Sequence, residues 1–216
     1  MLCSLRSKCL YFRLLLLSTF FIAWSCGLHS LHEQGIYDLV DVKKVNPRII
    51  VKNPYNTSDN VYGYIFYPSP QVYLLNNVAR RLSHVQEDLE KEGLGLIVYE
   101  GYRPPSIQKL MDTLSFDLDE SRRRTYPRHY RTGMGVDVSI YYLDGSPIQL
   151  PTLPGNTTWQ AWRDFPYLPC HVFHNRSLLE KIMWNHGFVP MRERWWHFDA
   201  RAWQKAPFLK VEYGDL

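Results

Sequence analysis

Between Pro70 and Glu92 the apolar residues Val72, Leu75, Val78, Ala79, Leu82, Val85 and Leu89 recur at three- and four-residue intervals, which predicts a helix with one buried face. Gly93 ends that run, and Leu94-Gly95-Leu96-Ile97-Val98-Tyr99 reads as a buried strand. Upstream, the alternation from Ile36 to Val42 and the short run Arg48-Ile49-Ile50-Val51 predict strands, with turn chemistry from Asn53 to Asn60. Downstream, Ile107 to Phe116 predicts a helix, and Asp117 to Tyr126, with Arg122-Arg123-Arg124, a solvated loop. Met134 to Tyr141 alternates at period two, so Asp137 sits on a strand with Val136 and Val138 on its other side. Leu143 to Ser146 is a turn, and Pro147 to Cys170 reads as a long loop across one face. A last helix is expected from Asn175, its N-cap, to Gly187, with Leu178, Leu179, Ile182 and Met183 inward. Phe188-Val189-Pro190 then leads to a final strand over Trp195 to Asp199.

A chain of 216 residues suits one domain able to bury a full core. The net charge is only +4 and much of it lies at the N-terminus, so no basic stripe points to nucleic acid. Residues 1–27 read as a targeting segment and residues 28–216 as a single domain. Arg6, Lys8 and Arg13 flank an apolar run from Leu14 to Trp24 that is too short to span a bilayer comfortably. Three readings stay open: cleavage before Cys26, lipidation of Cys26, or an uncleaved N-terminal membrane anchor. Each predicts an exported protein, periplasmic or anchored on the periplasmic side. Cys3, Cys9 and Cys26 lie in that segment, so the domain keeps Cys170 alone and has no internal disulfide; Cys170 is expected to be buried or half-buried.

The chemistry-bearing stretch is Arg128 to Ile140, which holds His129 and Asp137; His197 lies far downstream in Arg194-Trp195-Trp196-His197-Phe198-Asp199. Two imidazoles and a carboxylate can hold one zinc ion while leaving a position for water or substrate, so His129, Asp137 and His197 form the candidate metal triad. Glu100-Gly101-Tyr102-Arg103-Pro104-Pro105 follows a strand directly. Arg103 there is either a guanidinium fixed for an anion or a surface arginine paired with Glu100.

Taken together, these motifs make the chain resemble the zinc D-alanyl-D-alanine dipeptidase family, from about Tyr37 to about Leu209. The resemblance rests on Tyr55 to Asn60, Glu100 to Pro104, Arg128 to Ile140, Asn175 to Leu179, and Gly187-Phe188 leading to Trp195-Trp196-His197-Phe198. It implies an α+β fold with an antiparallel sheet carrying the metal and helices packed on one face. It further implies zinc on His129, Asp137 and His197, Arg103 steadying an oxyanion, a glutamate as general base and acid, and a small peptide substrate such as D-alanyl-D-alanine or a peptidoglycan fragment. Longer wall peptides, or a zinc-stabilised binding domain without catalysis, are the alternatives.

Two departures stand out. Seven residues separate His129 from Asp137 where the family has six, with Thr132 as the inserted residue. The glutamate expected directly before Trp195-Trp196 is Arg194, and Glu193 lies one position earlier. On a strand that slip reverses the face, so either a bulge at Arg194 returns Glu193 to the site or the base is lost.

Overall fold

The structure is a computed structural model, and it describes residues 38–115 and 127–216. The targeting segment and the Arg122-Arg123-Arg124 loop lie outside the described residues. Among the described residues no helix is long and apolar enough to cross a membrane.

Residues 39–216 form one compact unit. In chain order its elements are β1 (Leu39–Asp41), a one-turn helix α1 (Val42–Val45), β2 (Ile50–Val51), β3 (Tyr73–Leu75) and α2 (Asn76–Lys91). There follow β4 (Leu94–Glu100), α3 (Pro105–Leu114), α4 (Pro127–Arg131) and β5 (Gly135–Tyr142). The chain ends with α5 (Cys170–Asn185), β6 (Phe188–Pro190) and β7 (His197–Ala200). The main sheet runs β2-β4-β5-β7-β6. From β4 to β6 it is antiparallel, as expected. The expectation of a wholly antiparallel sheet is corrected at the edge, where β2 pairs with β4 in parallel. The connection between those two strands contains β3 and α2, a crossover long enough to return the chain in the same direction.

The period-3.6 stripe of α2 is buried as read: Val78, Ala79, Leu82, Val85 and Leu89 are inaccessible. That helix nevertheless starts later than its stripe. Tyr73–Leu75 is a strand paired with β1, Leu39 opposite Leu75. Val72, just before the strand, and Leu75, at its end, are both buried outside the helix, so their fit to a helical period is a coincidence. Within the helix, Gln86 breaks the apolar stripe for a purpose: its Oε1 accepts from the Leu96 backbone N–H at 2.8 Å and ties α2 to β4.

Two further boundaries move. The last helix begins at Cys170, immediately after Pro169, rather than at Asn175. Asn175 lies inside it, where its Nδ2 donates to the Gln149 carbonyl at 3.0 Å and does not cap. Cys170 is therefore on the first turn and exposed, not buried. The final strand begins at His197 rather than Trp195, because the residues before it form a turn closed by His197 N–H donating to the Arg194 carbonyl at 3.1 Å. Trp195 and Trp196 are fully buried in the core.

Candidate active site

Strand alternation puts a row of polar side chains on one face of the sheet. Glu100 on β4 is the register partner of Asp137 on β5, and Asp137 in turn lies opposite His197 on β7. Gly135 pairs with Asp199 two residues along, so Asp199 shares that face with His197. Val136, Val138 and Phe198 occupy the other face and are buried there.

His129 reaches this row from α4. The helix closes on a turn in which Thr132 Oγ1 donates to the His129 carbonyl at 2.8 Å and accepts from Met134 N–H at 3.2 Å. Gly133 then takes φ +67°, a left-handed conformation glycine adopts without a Cβ penalty. Thr132 thus closes the turn that joins His129 to the strand carrying Asp137. Gly135 serves a different need: a Cβ there would lie 2.9 Å from the carbonyl carbon of His129. Gly135→Ala is expected to push α4 off β5, costing about 1–3 kcal/mol and weakening metal binding together. Thermal unfolding with and without zinc reads both effects.

The two imidazoles meet edge to face, with ring centroids 5.0 Å apart. His197 Nδ1 is 2.7 Å from Asp137 Oδ1, and His197 Nε2 is 3.4 Å from Asp199 Oδ1. His129 Nδ1 is 2.7 Å from Asp199 Oδ2. Ligand atoms of His129, His197 and Asp199 all lie within 4.8 Å of one another. Two imidazoles with carboxylate oxygens are a donor set zinc accepts, so the residues fit the ion that the sequence implied. Asp137 stands against the opposite ring nitrogen of His197 from Asp199, and the Tyr130 hydroxyl donates to both its oxygens at 3.0 and 3.1 Å. Of the triad read from the sequence, His129 and His197 fall in this group with Asp199, whereas Asp137 touches His197 alone of the three. Asp199 escaped the sequence reading, although its spacing of two from His197 on a strand was signal enough. So did Trp203, whose ring stacks on His129 at 4.1 Å.

Burial disfavours the charged form of His197, but the hydrogen bonds its ring donates to Asp137 and Asp199 outweigh it and lift its pKa to about 9. Burial likewise pushes Asp199 upward, yet the two histidines hold it below the ordinary carboxylate range. Burial raises Glu100, partly opposed by the adjacent Arg103 and reinforced by Asp137.

Of the two sequence readings, Arg103 keeps the expected partner but not the surface position. It does pair with Glu100, at 2.6 Å, but deep in the protein rather than on the surface. Its Nη1 donates to Gln108 Oε1 at 2.8 Å, and its guanidinium lies 4.4 Å from the centre of the Tyr130 ring. Arg194 approaches Tyr130 from the other end, its Nη1 3.5 Å from the hydroxyl. Its charge also favours ionisation of Glu100. Glu193 acts on the neighbouring Arg192 guanidinium. In this turn, strand alternation no longer decides which side chain points inward, and Arg194 is the residue of the pair that reaches Tyr130.

One half-buried arginine holds the turn itself. Arg163, from the long loop, donates to the carbonyls of Met191 at 2.7 Å, Trp195 at 2.8 Å and His197 at 3.2 Å, and pairs with Glu180 at 2.7 Å. Arg163→Met removes the guanidinium donor from the Met191 and Trp195 carbonyls, while the His197 carbonyl keeps the Met191 N–H at 3.1 Å. A loss of about 3 kcal/mol or more is expected, read from chemical denaturation, with Glu180→Gln costing less because Glu180 is the more exposed partner.

No protein-family model matches the chain. It is similar to the D-alanyl-D-alanine dipeptidase of Escherichia coli K12, at 23% identity over 176 residues, covering 82% of this chain and 91% of that protein. A solved structure, the vancomycin-resistance D,D-dipeptidase VanXYg in complex with a D-Ala-D-Ala phosphinate analogue, aligns over 76% of this chain and 66% of its own. That alignment has 18% identity and a TM-score of 0.39.

Proposed function

We propose that the chain, which is similar to a D-alanyl-D-alanine dipeptidase, is a zinc-dependent hydrolase of D-alanyl-D-alanine or a closely related peptidoglycan peptide. The observation that carries this reading is the convergence of His129 and His197 with Asp137 and Asp199 on one sheet face. His129 and His197 would hold the ion together with a carboxylate from this pair, and the other carboxylate would orient an imidazole from behind. Zinc bound there supplies Lewis acidity toward a carbonyl and acidifies its water toward a pKa of about 7.

The chain's own groups do the rest. Asp137 and Asp199 fix the imidazole rings, and Tyr130 fixes Asp137. Arg103, held by Glu100 and Gln108 against Tyr130, is assigned the charge that develops on the scissile carbonyl oxygen. Proton transfer from water to the leaving amine is assigned to Glu193, the one glutamate of the segment 191–200. The positive flank and apolar run of residues 6–24 support action outside the cytoplasm.

A second reading is favoured by one observation, the contact of Arg194 with Tyr130. With a guanidinium occupying the position expected for the base, the domain would bind zinc and peptide without turning it over. Calorimetric zinc titration alongside release of free D-alanine from D-alanyl-D-alanine separates the readings. Zinc binding with turnover that Glu193→Ala removes supports the dipeptidase. Zinc binding without turnover supports the binding domain, and failure to bind zinc sinks both.

A further inference from the structure

Away from the imidazole centre, the outer face of α5 carries Phe173, Arg176, Glu180, Lys181 and Trp184 at helical spacing. With Arg163 they line an open groove of about 400 Å³. Phe173 and Trp184 stand at its ends, 54% and 50% exposed, which is unusual for large aromatic side chains on one helix face. The charges between them do not cancel. Glu180 pairs with Arg163 and also attracts Arg176, but against Arg163, Arg176 and Lys181 it is the one carboxylate lining the groove, which stays net positive.

Arg176 is the decisive residue. It is only 4% exposed, yet its Nε has no hydrogen-bond partner. Its Nη1 lies at 3.5 Å from the Trp162 carbonyl, a marginal contact, and its guanidinium sits 5.2 Å from the centre of the Phe173 ring. A buried guanidinium donor is costly to leave unmade, and its planar fork matches carboxylate and phosphate oxygens.

We propose that this groove is a second ligand site, taking an organic anion, a carboxylate or phosphate carried on an apolar or aromatic body. The anion would bind Arg176 and Lys181, and the apolar body would lie against Phe173 and Trp184. Charge-assisted hydrogen bonds supply orientation, and the exposed rings supply contact area. The site is separate from the imidazole centre, although Arg163 touches both: its guanidinium lines the groove and also holds the carbonyls of Trp195 and His197.

The test is calorimetric titration of the full chain, in the presence of a chelator, with phenyl phosphate, phenylacetate, and the neutral phenylacetamide. Saturable binding of either anion, little binding of the amide, and a loss of affinity of about tenfold or more in Arg176→Met and in Lys181→Met are expected. Lys181 is exposed, so its variant keeps the test valid if Arg176→Met fails to fold. Which anion binds more tightly identifies the head group. Equal binding of the amide, no saturation with either anion, or affinity unchanged in Lys181→Met would overturn the site. Binding that disappears in a folded His197→Ala variant would also overturn it, by assigning the anion to the imidazole centre.

Discussion

His197→Ala is expected to abolish zinc binding and, with it, any dipeptide hydrolysis. His197 is fully buried and is the hub of the centre, since one ring nitrogen meets Asp137 and the other faces Asp199. Removing a residue that only supports a ligand typically costs about 10–100-fold in metal affinity, so removing an imidazole that is itself a ligand should exceed that range. The comparison variants are Asp137→Asn and Asp199→Asn. The carboxylate that binds the ion should resemble His197→Ala, and the one that orients the ring should fall within the smaller range. Zinc titration by calorimetry gives the ranking without any need for activity. If His197→Ala binds zinc as the wild type does, the assignment of this centre fails.

Arg194→Glu is expected to have the largest effect in the opposite direction. Arg194 faces Tyr130 from the turn that precedes His197 and stands at the sequence position where the proposed hydrolysis would place its proton acceptor. A positioned general base contributes about 10²–10⁴-fold to such a reaction. A glutamate at 194 should therefore raise the rate of D-alanine release by up to that factor if the wild-type chain lacks a working base. The magnitude separates the two functional readings. A large gain means that Arg194 has displaced the base and that the natural chain is primarily a binder. No gain, together with loss of turnover in Glu193→Ala, means that Glu193 turns into the site during the reaction. Measurement of the rate constant for all three proteins at one zinc concentration decides between them.

The local elements were largely legible in the sequence because each is fixed by a periodicity that the chain carries in itself. The stripe from Val78 to Leu89, the apolar run from Leu94 to Val98 and the alternation around Asp137 name a helix and two strands wherever they are placed. Errors arose where the deciding partner is remote. Tyr73–Leu75 reads as helix until Leu39–Asp41 is laid beside it, and Cys170 reads as buried until Pro169 is seen to start the helix there.

The candidate site divides along the same line. The sequence by itself determined which residue types could do chemistry, His129, Asp137 and His197, and that a turn at Thr132 and Gly133 lies between the first two. Only the tertiary structure decided the pairing: which ring nitrogen each carboxylate meets, that Asp199 joins the cluster, and that Arg103 is locked to Glu100. It also decided that Arg194 rather than Glu193 reaches Tyr130. That choice depends on His197 N–H bonding to Arg194, on Trp195 N–H bonding to the Ala161 carbonyl at 3.0 Å, and on Arg163 holding the same turn. Periodicity is a property of neighbours along the chain. The direction of a side chain in a turn is set by hydrogen bonds from segments about thirty residues away, and no local pattern encodes it.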